Sequence, residues 1–125
     1  MLFGNNASTV DSATAILNEL NIETELSLSL KTLAAADARY LRDLKINISN
    51  ALAAESLGAK DAYLIALAVA ANEKVEPLQK AFEALAAQSG ATDKEVAEVI
   101  SCTSLMNANN VYYRFRHFMN EEFYN

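Results

Sequence analysis

The segment that most constrains the fold is a long helical pattern that begins at a capping box. Thr92 and Glu95 have the Thr-x-x-Glu spacing in which each side chain bonds to the backbone N–H of the other residue. From there to Phe118 the chain contains neither Gly nor Pro, and the first part of the segment has apolar residues at helical spacing. The second part gathers three Asn, two Tyr, two Arg and the only His. The pattern predicts one long helix whose end carries the chemically unusual residues.

The other segments are also predicted to be helices. The 125 residues include one Pro and three Gly, and strong helix formers dominate. Start and end signals place helices at about 8–21, 25–36, 37–58, 60–72, 77–90 and from 92 onwards. In this interpretation Asp37 is an N-cap, and Gly58 and Gly90 end helices. We therefore predict an all-α fold of five or six helices in a single domain, residues 1–125, with residues 1–8 as a flexible lead.

One short segment has a competing interpretation. Residues 25–30 alternate between polar and apolar side chains, which is typical of a strand. No second strand is predicted with which it could pair. Leu26, Leu30 and Leu33 also have the i, i+4, i+7 spacing of a helix face. A helix is therefore the better prediction for this segment.

The most apolar segment runs from Ala62 to Ala71. It is half as long as a membrane-spanning helix, so it predicts a buried helix and no membrane insertion. Leu64 and Leu67 lie on one face, while Ile65 and Val69 lie on the other. A helix that is apolar most of the way round is expected at the centre of a fold.

Charge and cysteine content limit the partners and the compartment. The formal net charge of −6 argues against binding to a nucleic-acid backbone, which needs clustered Lys and Arg. A single Cys cannot form an intramolecular disulfide, and residues 1–6 lack the features of a signal peptide. The expectation is a cytoplasmic protein without a nucleic-acid or membrane partner.

Cys102 is the first candidate for chemistry. Glu98, Cys102, Asn109 and Tyr113 fall near one face of the predicted helix. A thiol beside polar groups can react with peroxide as a thiolate. The alternative is that Cys102 is a small buried apolar residue. No second Cys is present to resolve a sulfenic acid.

His117 is the second candidate. With Glu121 it forms one possible metal-binding pair, but no further ligands are evident, so neither a metal nor a cofactor is predicted. Tyr113 and His117 are retained with Cys102 as candidate catalytic residues.

The Asn and Tyr residues have structural interpretations. Asn107, Asn109 and Asn110 are poor helix formers, so they either line a polar cavity or cap a break at which the helix restarts. Tyr112, together with the neighbouring aromatic residues, is suited to a subunit interface. Arg114 either stabilises the helix end or pairs with a carboxylate across a subunit boundary.

Two sequence motifs resemble a known family. Residues 104–107 and 109–114 (Ser-Leu-Met-Asn and Asn-Asn-Val-Tyr-Tyr-Arg), together with 40–49 upstream, resemble the AhpD-type alkyl hydroperoxidases of the carboxymuconolactone decarboxylase-like superfamily. The resemblance covers about residues 40–119. It implies an all-α fold built from two related halves, and both motifs belong to the half without catalytic residues.

The resemblance also implies where the catalytic residues would lie. The family uses a Cys-x-x-Cys pair, a nearby His and a Glu on the preceding helix. In this chain the two Cys positions fall on Lys74 and Pro77, the His position on Ala81, and the Glu position on or near Tyr63. None of these side chains can form a dithiol or relay a proton.

Three functions follow from the resemblance, and the sequence leaves open whether the chain is an enzyme. The first is a non-catalytic homologue of the antioxidant hydroperoxidases that forms a homo-oligomer, with 62–71 and 112–118 as interface elements. The second is a one-Cys peroxidase that uses Cys102 and a partner thiol protein as reductant. The third is non-thiol chemistry on a small carbonyl or lactone substrate, carried by Tyr113, Arg114 and His117.

Overall fold

A computed structural model describes residues 9–119 except 24 and 54. These residues form six α-helices and no strand. The helices are α1 (Thr9–Glu19), α2 (Leu28–Ala35), α3 (Arg39–Leu52), α4 (Gly58–Asn72), α5 (Glu76–Gln88) and α6 (Asp93–Met119). The all-α prediction is confirmed. The predicted flexible lead, residues 1–8, lies outside the described residues.

The chain divides into two compact units, Met1–Ala62 and Tyr63–Asn125. The assignment of one domain to the whole chain stays a prediction. In the first unit α1 packs against both α2 and α3. Its core is a cluster of Ala13, Ala34 and Leu41, and a hydrogen bond of 2.7 Å from the Ser49 hydroxyl to the Glu19 carboxylate joins α3 to the end of α1.

The helix prediction for the segment after α1 is confirmed. Leu30 and Leu33, within the helix, and Leu26, just before it, pack against the core cluster of the first unit. The helix begins at Leu28, three residues later than predicted, because Ser27 adopts extended backbone and caps it. The Ser27 hydroxyl accepts a hydrogen bond of 3.2 Å from the backbone N–H of Leu30.

Four helices end at a residue with left-handed backbone, and only one of these residues is a glycine. The φ angles are 53° at Asn21, 48° at Asp37, 57° at Lys74 and 93° at Gly90. At each end the next residue donates a backbone hydrogen bond to the carbonyl five residues before it, as Ala91 does to Ala86 at 2.9 Å. Gly90 therefore ends α5 as predicted.

Two predicted boundaries are wrong. Asp37 is not the N-cap of α3, because its left-handed backbone ends α2 instead; the N-cap is Ala38, which makes no side-chain cap bond. The Asp37 carboxylate instead accepts a hydrogen bond of 3.2 Å from Arg42. Gly58 does not end α3, which stops at Leu52; it is the first residue of α4.

The second unit contains most of α4 together with α5 and α6. Leu67, Phe82 and Leu85 are buried, and the Gln79 side-chain amide donates a hydrogen bond of 3.3 Å to the carbonyl of Ala70, which links α5 to α4. The prediction that α4 is a buried helix holds for Leu67 and Ala70 and is wrong for the face that carries Ile65 and Val69. Ile65 and Val69 are 52% and 60% exposed, because the buried residues of this unit lie on the other face of the helix.

The starts of α5 and α6 follow the predicted signals. Pro77 lies in the first turn of α5, where its missing N–H leaves no carbonyl unpaired. At α6 the backbone N–H of Thr92 donates to Glu95 at 2.8 Å, and the backbone N–H of Glu95 donates to the Thr92 hydroxyl at 3.2 Å. This reciprocal pair is the predicted capping box.

Among the helices of the described residues, none is both long enough and apolar enough to cross a membrane.

We predict that Lys74→Gly stabilises the protein by about 0.5–1 kcal/mol. Left-handed backbone costs a non-glycine residue about 1–2 kcal/mol, and the greater freedom of Gly in the unfolded chain offsets part of that gain. Chemical denaturation measures the change. Lys74→Ala is the control, because it removes the exposed side chain and keeps the backbone strain. Equal free energies of unfolding for the Gly and Ala variants would contradict the prediction.

Candidate functional site

The candidate residues lie on the second part of α6, which differs from the first part in its burial. Val96 is buried, and Val99 and Thr103 are half-buried. Every residue from Ser104 to Met119 is exposed except Arg116, which is half-buried. The candidate residues therefore lie on a helix surface rather than in an enclosed cavity of the described chain.

Cys102 is an exposed free thiol. The alternative of a small buried Cys is therefore wrong. Glu98, one turn earlier, forms an ion pair of 3.7 Å with Lys94. Along a straight helix Asn109 lies about 10 Å from Cys102, and Tyr113 about 16 Å. These residues share a face of α6, but one copy of the chain does not bring them together around the sulfur atom.

An aromatic-basic cluster forms around Arg116. The guanidinium carbon of Arg116 lies 5.7 Å from the ring centre of Tyr112 and 5.9 Å from that of Tyr113, within the range of a cation–π contact. The two tyrosine rings meet edge to face at 5.5 Å. Sequence reasoning missed Arg116 as the centre of this contact. The spacing of three and four residues from the tyrosines was the signal for this contact.

One atom of this cluster lacks a partner. The Nε atom of Arg116 is buried and has no hydrogen-bond partner among the described residues. A buried guanidinium N–H without an acceptor is unfavourable, so the cluster is incomplete as far as the described residues are concerned. The neighbouring Arg114 is exposed and forms no ion pair within the described part of the chain. Its predicted pairing across a subunit boundary stays a prediction.

His117 is exposed, and its ring meets that of Phe118 edge to face at 5.9 Å. Glu121, its predicted metal-binding partner, lies outside the described residues. Across residues 9–119, apart from 24 and 54, no group of three or more His, Cys, Asp or Glu side chains is placed to hold a metal ion.

The three asparagines lie within an unbroken helix. Asn107, Asn109 and Asn110 are all exposed, and α6 continues past them to Met119. The alternative in which they cap a helix break is therefore wrong. The alternative of a polar cavity requires a second surface to cover them.

Comparison with known proteins supplies the family. No family model matches the chain, and no solved structure matches it. Alkyl hydroperoxide reductase AhpD from Rhizorhabdus wittichii is 33% identical over 98 residues, which is 78% of this chain. This chain is related to AhpD. The match covers 56% of the relative's own length, so the chain spans just over half of that protein.

The relationship confirms the resemblance to AhpD seen in the sequence. The positions that this resemblance predicts for the catalytic residues lie in α4, α5 and their connection. Lys74 and Pro77, at the two Cys positions, are exposed in the connection from α4 to α5 and at the start of α5. Ala81 is buried and Tyr63 is half-buried. No thiol, imidazole or carboxylate occupies any of these four positions.

The AhpD-like chain also has a groove that sequence reasoning missed. It lies beside the end of α1 and the connection that follows, and its volume is about 340 Å³. Its lining residues are Thr14, Leu17, Asn18, Asn21, Ile22, Glu23 and Leu26. The signal for it was Asn21, whose left-handed backbone turns the chain sharply after α1. The lining contains no nucleophilic thiol and no imidazole.

The clearest electrostatic pair of the AhpD-like chain lies away from the candidate residues. The Lys80 ammonium is 2.6 Å from the Glu76 carboxylate, one turn earlier on α5. This hydrogen bond and the attraction between the charges hold the pKa of Glu76 below its ordinary value and the pKa of Lys80 above its ordinary value. Both side chains are exposed, so the pair is a surface interaction screened by solvent.

We predict that Cys102 of the native AhpD-like chain reacts fully with a colorimetric thiol reagent, at one thiol per chain and without denaturant. The reason is its exposure. A parallel titration in guanidinium chloride gives the number of reactive thiols in the unfolded chain. The Cys102→Ser variant gives the background signal without a thiol. A native thiol that reacts only after unfolding would contradict the exposed position.

Proposed function

We propose that this AhpD-like chain does not catalyse dithiol hydroperoxide reduction and instead acts as a self-associating binding or regulatory module. The observation that supports this proposal is that the chain has a single Cys, which is exposed on the surface of α6. Dithiol chemistry needs two thiols that can form a disulfide with each other. The chain has one Cys, and Lys74 and Pro77 occupy the positions that the resemblance predicts for the two thiols.

The surroundings of the other candidates support the same proposal. Tyr113, Arg114 and His117 are exposed to solvent, and acid–base chemistry on a small carbonyl or lactone substrate benefits from a site that excludes water. The third function therefore has less support than the first.

Self-association is supported by the apolar surface of α6. Leu105, Tyr112 and Met119, which follow one another along the helix at steps of seven residues, are 62%, 52% and 43% exposed. Contiguous exposed apolar side chains of this size mark interaction sites in soluble proteins. The second predicted interface element, α4, also exposes Ile65 and Val69.

The same proposal places the chain in the cytoplasm. The single exposed thiol fits the reducing cytoplasm, where disulfides are rare.

One observation favours a second candidate function. The exposure of Cys102 allows a peroxide to reach its sulfur atom. As a one-Cys peroxidase, the thiolate would take the terminal oxygen of a hydroperoxide and become a sulfenic acid, while the remaining alkoxide leaves as an alcohol after taking a proton from water. Two thiols of an external reductant would then regenerate Cys102 and release water, forming one disulfide.

We predict that the wild-type chain and Cys102→Ser consume an organic hydroperoxide at the same rate in the presence of a dithiol reductant. The expected rate for both is that of the reductant alone, because the chain has no second Cys and the positions that the resemblance predicts for the proton relay hold Tyr63 and Ala81. Reductant oxidation measured by absorbance checks this. Multiple turnovers by the wild type that Cys102→Ser abolishes would overturn the proposal and establish the one-Cys peroxidase.

A further inference from the structure

We draw no further inference here: the strongest candidate, the exposed apolar surface of the second part of α6 around Leu105, Tyr112 and Met119, belongs to the self-association already proposed, and nothing in the structure shows what covers it.

Discussion

The helix α6 is longer than the diameter expected of a compact unit with as many residues as the one that contains it, and its second part is exposed to solvent. Its 27 residues extend about 40 Å, whereas a compact unit the size of Tyr63–Asn125 is about 27 Å across. The first turns of α6 bury Val96 in the core of that unit. In the second part of α6, every side chain from Ser104 to Met119 is exposed except that of Arg116, which is half-buried.

Because these turns are exposed, membership of the family does not by itself establish a catalytic site on them. The motif that resembles AhpD lies on the exposed part of α6, together with Tyr113 and His117, and Cys102 comes just before it. A helix surface holds residues at fixed distances along its axis, so the thiol and Tyr113 stay about 16 Å apart within one copy. The relationship to AhpD, which covers just over half of that relative, therefore does not by itself assign a reaction to these residues.

Local hydrogen bonding made several elements predictable. The capping box at Thr92 and Glu95 and the left-handed cap at Gly90 use chemistry that needs only neighbouring residues, and the structure has both. Asp37 shows the limit of such reasoning. A carboxylate between two helices fits an N-cap or a left-handed helix end, and the choice depends on the angle at which α3 packs against α1.

The sequence predicted that α4 forms a helix with buried side chains, but it did not predict which faces of the helix are buried. The apolar content of α4 correctly indicated a helix, but the sequence does not show how many of its faces are covered, and Ile65 and Val69 are exposed. The same holds for the candidate residues: spacing placed Cys102, Asn109 and Tyr113 on one face, but whether anything lies opposite that face is not a local property.

The sequence by itself determined the helical class, most of the helix boundaries and the relationship to AhpD. It did so because capping, helical periodicity and motif identity depend on residues close together in the chain. Only the tertiary structure decided that Cys102 is exposed, that Asp37 ends a helix, and that the second part of α6 is exposed. These depend on which surfaces of distant segments meet, and the free energy of that burial is a property of the packed chain rather than of any one segment.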